Sequence, residues 1–192
     1  NITGYLIFRN ITGTVSTQTT LQNYPGEVVT IRGPGYNLGS FYLDNSDYMT
    51  IDGINVTFLN QGIVVEGDSD NVTIKNCEVY NIGQEGIHIS KGSDNFFVEN
   101  CKIHDLGHAG ANGEGLYIGT GEGDPVADYI GFGTIRGNTI YDISGGEAIE
   151  LKPGAHDLLI EGKHIYNVSN VSDYSGLGAI EVFGNFGAAQ TW

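Results

Sequence analysis

Basic side chains are scarce in this chain: Lys and Arg together number 8 against 23 Asp and Glu, for a formal net charge of -15. That balance argues against nucleic acid and anionic membrane surfaces as partners, and leaves bound cations, or an acidic substrate approached with a cation's help. It also serves plain solubility. No run of eighteen apolar residues is present, so no transmembrane span is expected, and no basic stretch followed by an apolar one opens the chain as a signal peptide does. Ten consecutive residues of helical periodicity are absent from the repeats described below, and 30 Gly are too many for a helical protein. The chain begins with Asn and not Met, so an upstream piece is expected to have been removed or left out.

What is there is repetition. Ile51, Ile74, Val98, Ile135 and Ile160 occupy the same place in IDGINVTFL, NVTIKNCEV, VENCKIHDL, IRGNTIYDI and IEGKHIYNV. Five residues on stands another β-branched residue: Val56, Val79, Ile103, Ile140, Ile165. After a Gly-rich turn a second short strand follows: GIVVEG, GIHISKG, GLYIGTG, AIELKPG, AIEVFGN. Each copy, read as two short strands of alternating polarity, has one apolar face that it cannot hide alone. Stacking the copies hides it. A period of about 23 to 25 residues suits one turn of a right-handed parallel β-helix, with coils roughly 4.8 Å apart, and the Leu-rich signature of the competing solenoid is missing.

The expected architecture is thus all-β, a single solenoid domain over residues 1–192. Residues 1–40 are expected to form irregular entry coils and residues 41–185 regular ones. Neither end shows a capping element, so a longer parent chain, or end-to-end self-association, is expected. Insertions at GHAGANGE, TGEGDPVADY and SNVSDYSGL flank the second strand column and mark its face as the binding face. Asn-x-Ser/Thr sequons at Asn1, Asn10, Asn55, Asn71, Asn167 and Asn170 suggest a secreted, extracellular glycoprotein, although Asn and Thr are also ordinary in β-helix turns. Cys77 and Cys101 fall at one point of successive copies, either as a disulfide or as two small residues filling a column.

Chemistry concentrates on the second strand column. Between its inward residues lie Val64, His88, Tyr117, Glu150 and Glu181, and just ahead of the strands stand Glu85, Glu114 and Glu147. Carboxylates stacked at coil spacing repel one another unless a cation or hydrogen bonds intervene, so Glu114, Glu147 and Glu150 are candidate Ca²⁺ ligands; alternatively they cap turns and fan into water. Lys152 shares a face with Glu150. As a base it can abstract the proton next to a uronate carboxyl, with Tyr117 or His88 protonating the leaving oxygen; as a bland alternative it forms a surface ion pair. Glu147 or Glu114 with Glu150 also makes a possible glycosidase pair. Glu181, together with Tyr141 and His104 from the column Tyr80, His104, Tyr141, Tyr166, is a candidate substrate contact, the column serving otherwise as a ladder that shields the sheet.

The repeats NVTIKNCEVYNIGQEGIHI, GTIRGNTIYDISGGEAIELKPG and DLLIEGKHIYNV resemble the right-handed parallel β-helix repeats of the pectin-lyase-like superfamily from Phe41 to Asn185, and TTLQNYPGEVVTIRG resembles the entry to such domains. The resemblance implies the fold; its activities include polysaccharide lyases, hydrolases, epimerases and tailspikes. EAIELK, Glu147 to Lys152, is similar to the acidic-then-Lys segment of calcium-dependent chondroitin and alginate lyases, which implies calcium on the carboxylates and Lys152 as base. The spacing here is shorter, none of Arg9, Arg32 and Arg136 stands on the following coil as in those lyases, and the paired-Asp and Asp-Pro-His patterns of polygalacturonases and epimerases are absent. The expected function is therefore an extracellular domain that binds or cleaves an acidic polysaccharide, or else a non-catalytic surface or filament module.

Overall fold

The computed structural model describes residues 6–110, 112–121, 128–169 and 179–183. Strands are added in rotation to three sheets. Sheet A takes Leu6–Arg9, Phe41–Asp44, Ile63–Glu66, Ile87–Ile89, Leu116–Ile118, Ile149–Leu151 and Ile180–Val182. Sheet B takes Thr19–Gln22, Met49–Asp52, Thr73–Lys75, Phe97–Glu99, Thr134–Arg136 and Leu159–Glu161. Sheet C takes Val29–Arg32, Ile54–Thr57, Glu78–Tyr80, Lys102–Leu106, Thr139–Ser144 and His164–Ser169. Every pairing between these strands is parallel and joins neighbouring coils. This is a parallel β-helix.

The repeat holds three strands and not two. Ile74 and Val79 both point inward although they stand five positions apart, an odd offset that one straight strand would turn to opposite faces. A left-handed residue between sheets B and C resolves the parity: Asn76 and Asn100 at φ 54°, replaced in other coils by Gly53, Gly137 and Gly162. Asn and Gly are the residues that tolerate this conformation, so the bend is written into the turn chemistry.

The entry segment, expected as irregular coils over residues 1–40, contributes three strands to the sheets. Its three strands join sheets A, B and C in register, Leu6 against Phe41, Thr19 against Met49 and Val29 against Ile54. Longer connections around Pro25 and Gly26 obscure a coil that is otherwise regular. Among the described residues, each sheet has a strand at either end that is paired on one side only.

Inside, side chains stack in columns of like residues: Phe41, Ile63, Ile87, Leu116 and Ile149 behind sheet A, Ile51, Ile74, Val98 and Ile135 behind sheet B, Val56, Val79, Ile103 and Ile140 behind sheet C, all fully buried. Burying such a side chain is worth about 1.5–3 kcal/mol. Buried polar groups in the core stack too and satisfy each other. The Ser46 N–H donates to Ser69 Oγ at 2.9 Å and the Ser69 N–H to Ser93 Oγ at 3.1 Å. Cys77 and Cys101 are buried free thiols, adjacent in one column, and the hydrogen bond to Cys77, with burial, pushes the Cys101 thiol well up. Asn138 continues that column, accepting from the Cys101 N–H and donating to the Val98 carbonyl, both at 2.8 Å.

Candidate functional site

Parallel register turns the outward face of sheet A into one row: Ile7, Tyr42, Val64, His88, Tyr117, Glu150, Glu181. Two positions ahead of the strands runs a second row, Gln61, Glu85, Glu114, Glu147. Both rows change from neutral to acidic along the helix axis. At the acidic end Glu85, Glu114, Glu147 and Glu150 are buried, which corrects the picture of carboxylates fanning into water. One oxygen of each of Glu114, Glu147 and Glu150 lies within 4.8 Å of the other two. Gly146 makes room for this: a Cβ there would meet the Glu114 carboxyl carbon at 2.8 Å.

The carboxyls are not satisfied. Glu85 Oε2, Glu114 Oε2, Glu147 Oε1 and Glu181 Oε2 are buried without a hydrogen-bond partner. Burial, reinforced by the charges of Glu85, Glu150 and Glu147, pushes Glu114 up to about 8. Burial also pushes Glu147 up to about 7, helped by the Glu150 charge and by a hydrogen bond to Glu181. The cluster therefore holds protons near neutral pH unless a cation takes their place. All donors are oxygen, as a hard divalent cation requires, and two of the three clustered residues, Glu114 and Glu147, carry an orphaned oxygen, so the residues present fit Ca²⁺.

Lys152 closes the cluster. Its ammonium bonds the Glu150 carboxylate, and the two side chains are only 11% and 5% exposed. The Nζ also lies 5.0 Å from the Tyr117 ring centroid and 4.3 Å from that of Phe183, so the preceding and following coils both contribute a ring. This is far from a loose surface ion pair. Burial raises the Glu150 carboxyl, and Lys152 opposes the rise.

His88 packs edge-on against Tyr117 with centroids 4.7 Å apart. Its Nε2 lies 3.0 Å from the Gly119 carbonyl and its Nδ1 3.3 Å from Gln61 Nε2. One tautomer satisfies both: Nε2–H donates to the carbonyl and Nδ1 accepts from the amide. The ring is thus engaged on both nitrogens.

Tyr141 and His104 stand on a different face. They belong to sheet C, in a stack Tyr80, His104, Tyr141, Tyr166 with centroids 5.5, 4.5 and 4.8 Å apart and planes within 13°. His104 Nδ1 bonds Asp105 at 2.7 Å and its Nε2 lies 3.4 Å from Glu78. Ring faces that cover one another cannot also cover a sugar. These two residues are brought together with each other and not with Lys152. The carboxylate pairs considered for a glycosidase stand closer, oxygen to oxygen, than the roughly 6.5–9.5 Å an inverting enzyme keeps for its water.

Of the sequons, Asn10, Asn71 and Asn167 adopt left-handed φ, a structural reason for asparagine. Asn167 Nδ2, the atom a glycan would occupy, donates to Asp142 at 3.0 Å. Asn55 lies half-buried in sheet C, and Asn1 and Asn170 fall outside the described residues. Sequence reasoning passed over Phe183 and Gln61 as site residues. Phe183 stands in the column of Lys152 when the second strands are aligned, and that alignment was the available signal.

The model of the right-handed β-helix region matches residues 39–186. The chain belongs to the right-handed β-helix family. Among solved structures, an alginate lyase from Paenibacillus sp. str. FPU-7 shares the fold with a TM-score of 0.81 at 23% identity, covering 96% of this chain and 65% of that one. A pectate lyase covers 95% of this chain and 47% of its own at 11% identity and a TM-score of 0.37. The chain thus spans less than two thirds of either neighbour's length. A search of curated protein sequences returns no match. No helix among the described residues is long and apolar enough to cross a membrane.

Proposed function

We propose that this β-helix is the catalytic part of a polysaccharide lyase acting on an acidic, uronate-containing polysaccharide, with Tyr117, Glu150 and Lys152 as its reaction centre. The observation that carries the reading is the Lys152 ammonium, nearly buried, held by two rings and bonded to a buried carboxylate. A structural ion pair gains little from such confinement and costs desolvation. The fold likeness to an alginate lyase supports a uronan as the substrate class. Such polymers are met outside the cell, and an extracellular location accompanies the reading.

In β-elimination a base removes the proton on the carbon next to the uronate carboxyl. That electron pair forms the carbon–carbon double bond, the bond to the leaving oxygen breaks, and an acid protonates the oxygen. Lys152 must give up a proton before it can take one. Glu150, raised by burial and already hydrogen-bonded to it, is the acceptor. Tyr117, beside the Lys152 ammonium, supplies the proton for the leaving oxygen. His88 and Phe183 fix the two reacting side chains from either side. Glu114, Glu147 and, once it has passed the Lys152 proton on to solvent, Glu150 would hold Ca²⁺, which when bound neutralises the substrate carboxylate and acidifies the adjacent carbon. A cation and shared protons are two ways of compensating the same carboxylates.

The test is ultraviolet absorbance of new unsaturated uronate ends on a panel of uronans, with Ca²⁺ and with chelator. A rise that disappears in Lys152→Ala supports the lyase. Absence of a rise on every uronan removes it.

A further inference from the structure

Five coils from Lys152, at the other end of the molecule, Arg32 closes the first strand of sheet C. Most described basic side chains have a carboxylate: Arg9 has Asp44, Lys75 has Asp52, Lys91 has Glu66, Arg136 has Glu161, Lys152 has Glu150. Lys163 donates to the Ile160 carbonyl, and Lys102 is simply exposed. Arg32 is half-buried, yet among the described residues its guanidinium has neither an ion pair nor a hydrogen bond. In a chain of net charge -15 that is conspicuous.

The guanidinium is not loose. It lies over the Phe58 ring, 3.5 Å from the centroid, and Phe58 stacks on Tyr36 at 5.1 Å, which stacks on His108 at 4.6 Å. The loop bearing Tyr36 is tied to the same strand end, since the Gly33 N–H donates to the Thr57 carbonyl and the Gly35 N–H to that of Phe58. Phe58 has φ 56°. At the equivalent position, one past the sheet C ladder residue, the other coils place Asn81, Asp105, Asp142 and Asn167, also left-handed. Asn and Asp tolerate that conformation; a bulky aromatic there is strained. One coil thus gives up the easy residue and gains a platform under an arginine.

We propose that Arg32, presented on the stack of Phe58, Tyr36 and His108, binds a carboxylate of an acidic saccharide. One guanidinium face is covered, while among the described residues nothing takes up its donors, which form the planar fork that matches a carboxylate with two parallel hydrogen bonds. Arg32 lies about 24 Å from Lys152 along the axis at one coil spacing per step, and on sheet C where Lys152 follows a strand of sheet A, so the two sites are separate. Choosing a saccharide carboxylate over other anions rests on the function proposed above; the guanidinium geometry does not.

Binding is measured by calorimetry, in a Lys152→Ala background that prevents cleavage, with a short saturated oligouronate, a neutral oligosaccharide of equal length, and sodium sulfate. The oligouronate is expected to bind at least about tenfold more weakly in Arg32→Ala, with partial rescue in Arg32→Lys. Phe58→Asn, which installs the residue type of the other coils, is expected to weaken binding while Tm holds or rises. An unchanged Kd in Arg32→Ala, or sulfate or the neutral sugar binding as well as the oligouronate, overturns the proposal. Elimination by the native protein is scored separately. Arg32-dependent binding without elimination sinks only the lyase, and elimination with Arg32-independent binding sinks only this site.

Discussion

Sheets A and C present outward rows built by the same device, one residue per coil in parallel register, and the rows behave oppositely. On sheet C the rings Tyr80, His104, Tyr141 and Tyr166 cover one another and His104 has a carboxylate for each nitrogen. On sheet A four carboxyl oxygens are buried with no partner, beside a confined ammonium. From Tyr80 to Tyr166 this row spends its polar groups on itself and is scaffolding, whereas Thr57 and Arg32, in register ahead of Tyr80, do not. A row that leaves them unspent at the cost of burial is prepared for something else.

The largest effect that can break this comparison is on turnover. Lys152→Ala is expected to lower elimination by about 10²–10⁴-fold, and Tyr141→Ala to leave kcat within a few-fold, both read from initial rates on a uronan. Equal losses would erase the distinction between the two faces. Stability should show the reverse order. Tyr141→Ala loses ring contacts on both sides and is expected to cost about 1–3 kcal/mol in urea unfolding. Glu114→Gln keeps the shape of a carboxyl that is neutral near pH 7 and is expected to be neutral or stabilising.

Acidity sharpens the comparison further. Glu114 holds its proton up to about 8 in the folded chain, against an ordinary 4.5. Folding therefore takes up a proton between those values. Its contribution is fully present below about 4.5 and lost as pH rises through about 8. Without divalent cations, Tm should fall across this window, the fall should be shallower in Glu114→Gln, and Ca²⁺ should restore Tm at the alkaline end; a flat profile would mean the carboxyls are solvated after all. The smallest expected effect lies in the core, where Cys101→Ala should cost about 1 kcal/mol and should not depend on oxidant, because the stacked thiols are free.

The β-helix was readable because its inward residues recur at one place in every copy, and so was the composition of sheet A's row. Strand count was not. Ile74 and Val79 look like one strand until Asn76 is known to be left-handed, and sequence does not distinguish an Asn in a bend from an Asn in a sequon. Nor did Glu114 and Glu147 announce their burial: carboxylates suggest solvent, and only the stacking of coils over Gly146 shows otherwise. The Arg32 stack draws on three coils and a loop, a proximity that no local pattern encodes.

In-register stacking gives each position in a row two neighbours, one on either side, whatever length of chain lies between. Asp94 reaches Gly131 across 37 residues as directly as Asp70 reaches Asp94 across 24. Long insertions can therefore enter between coils without disturbing the pitch of any row. Energetic coupling between substitutions becomes a matter of coil count, strong between Tyr117, Lys152 and Phe183 and fading with each intervening step, so the reaction centre and the distant arginine can be altered independently on one rigid ruler.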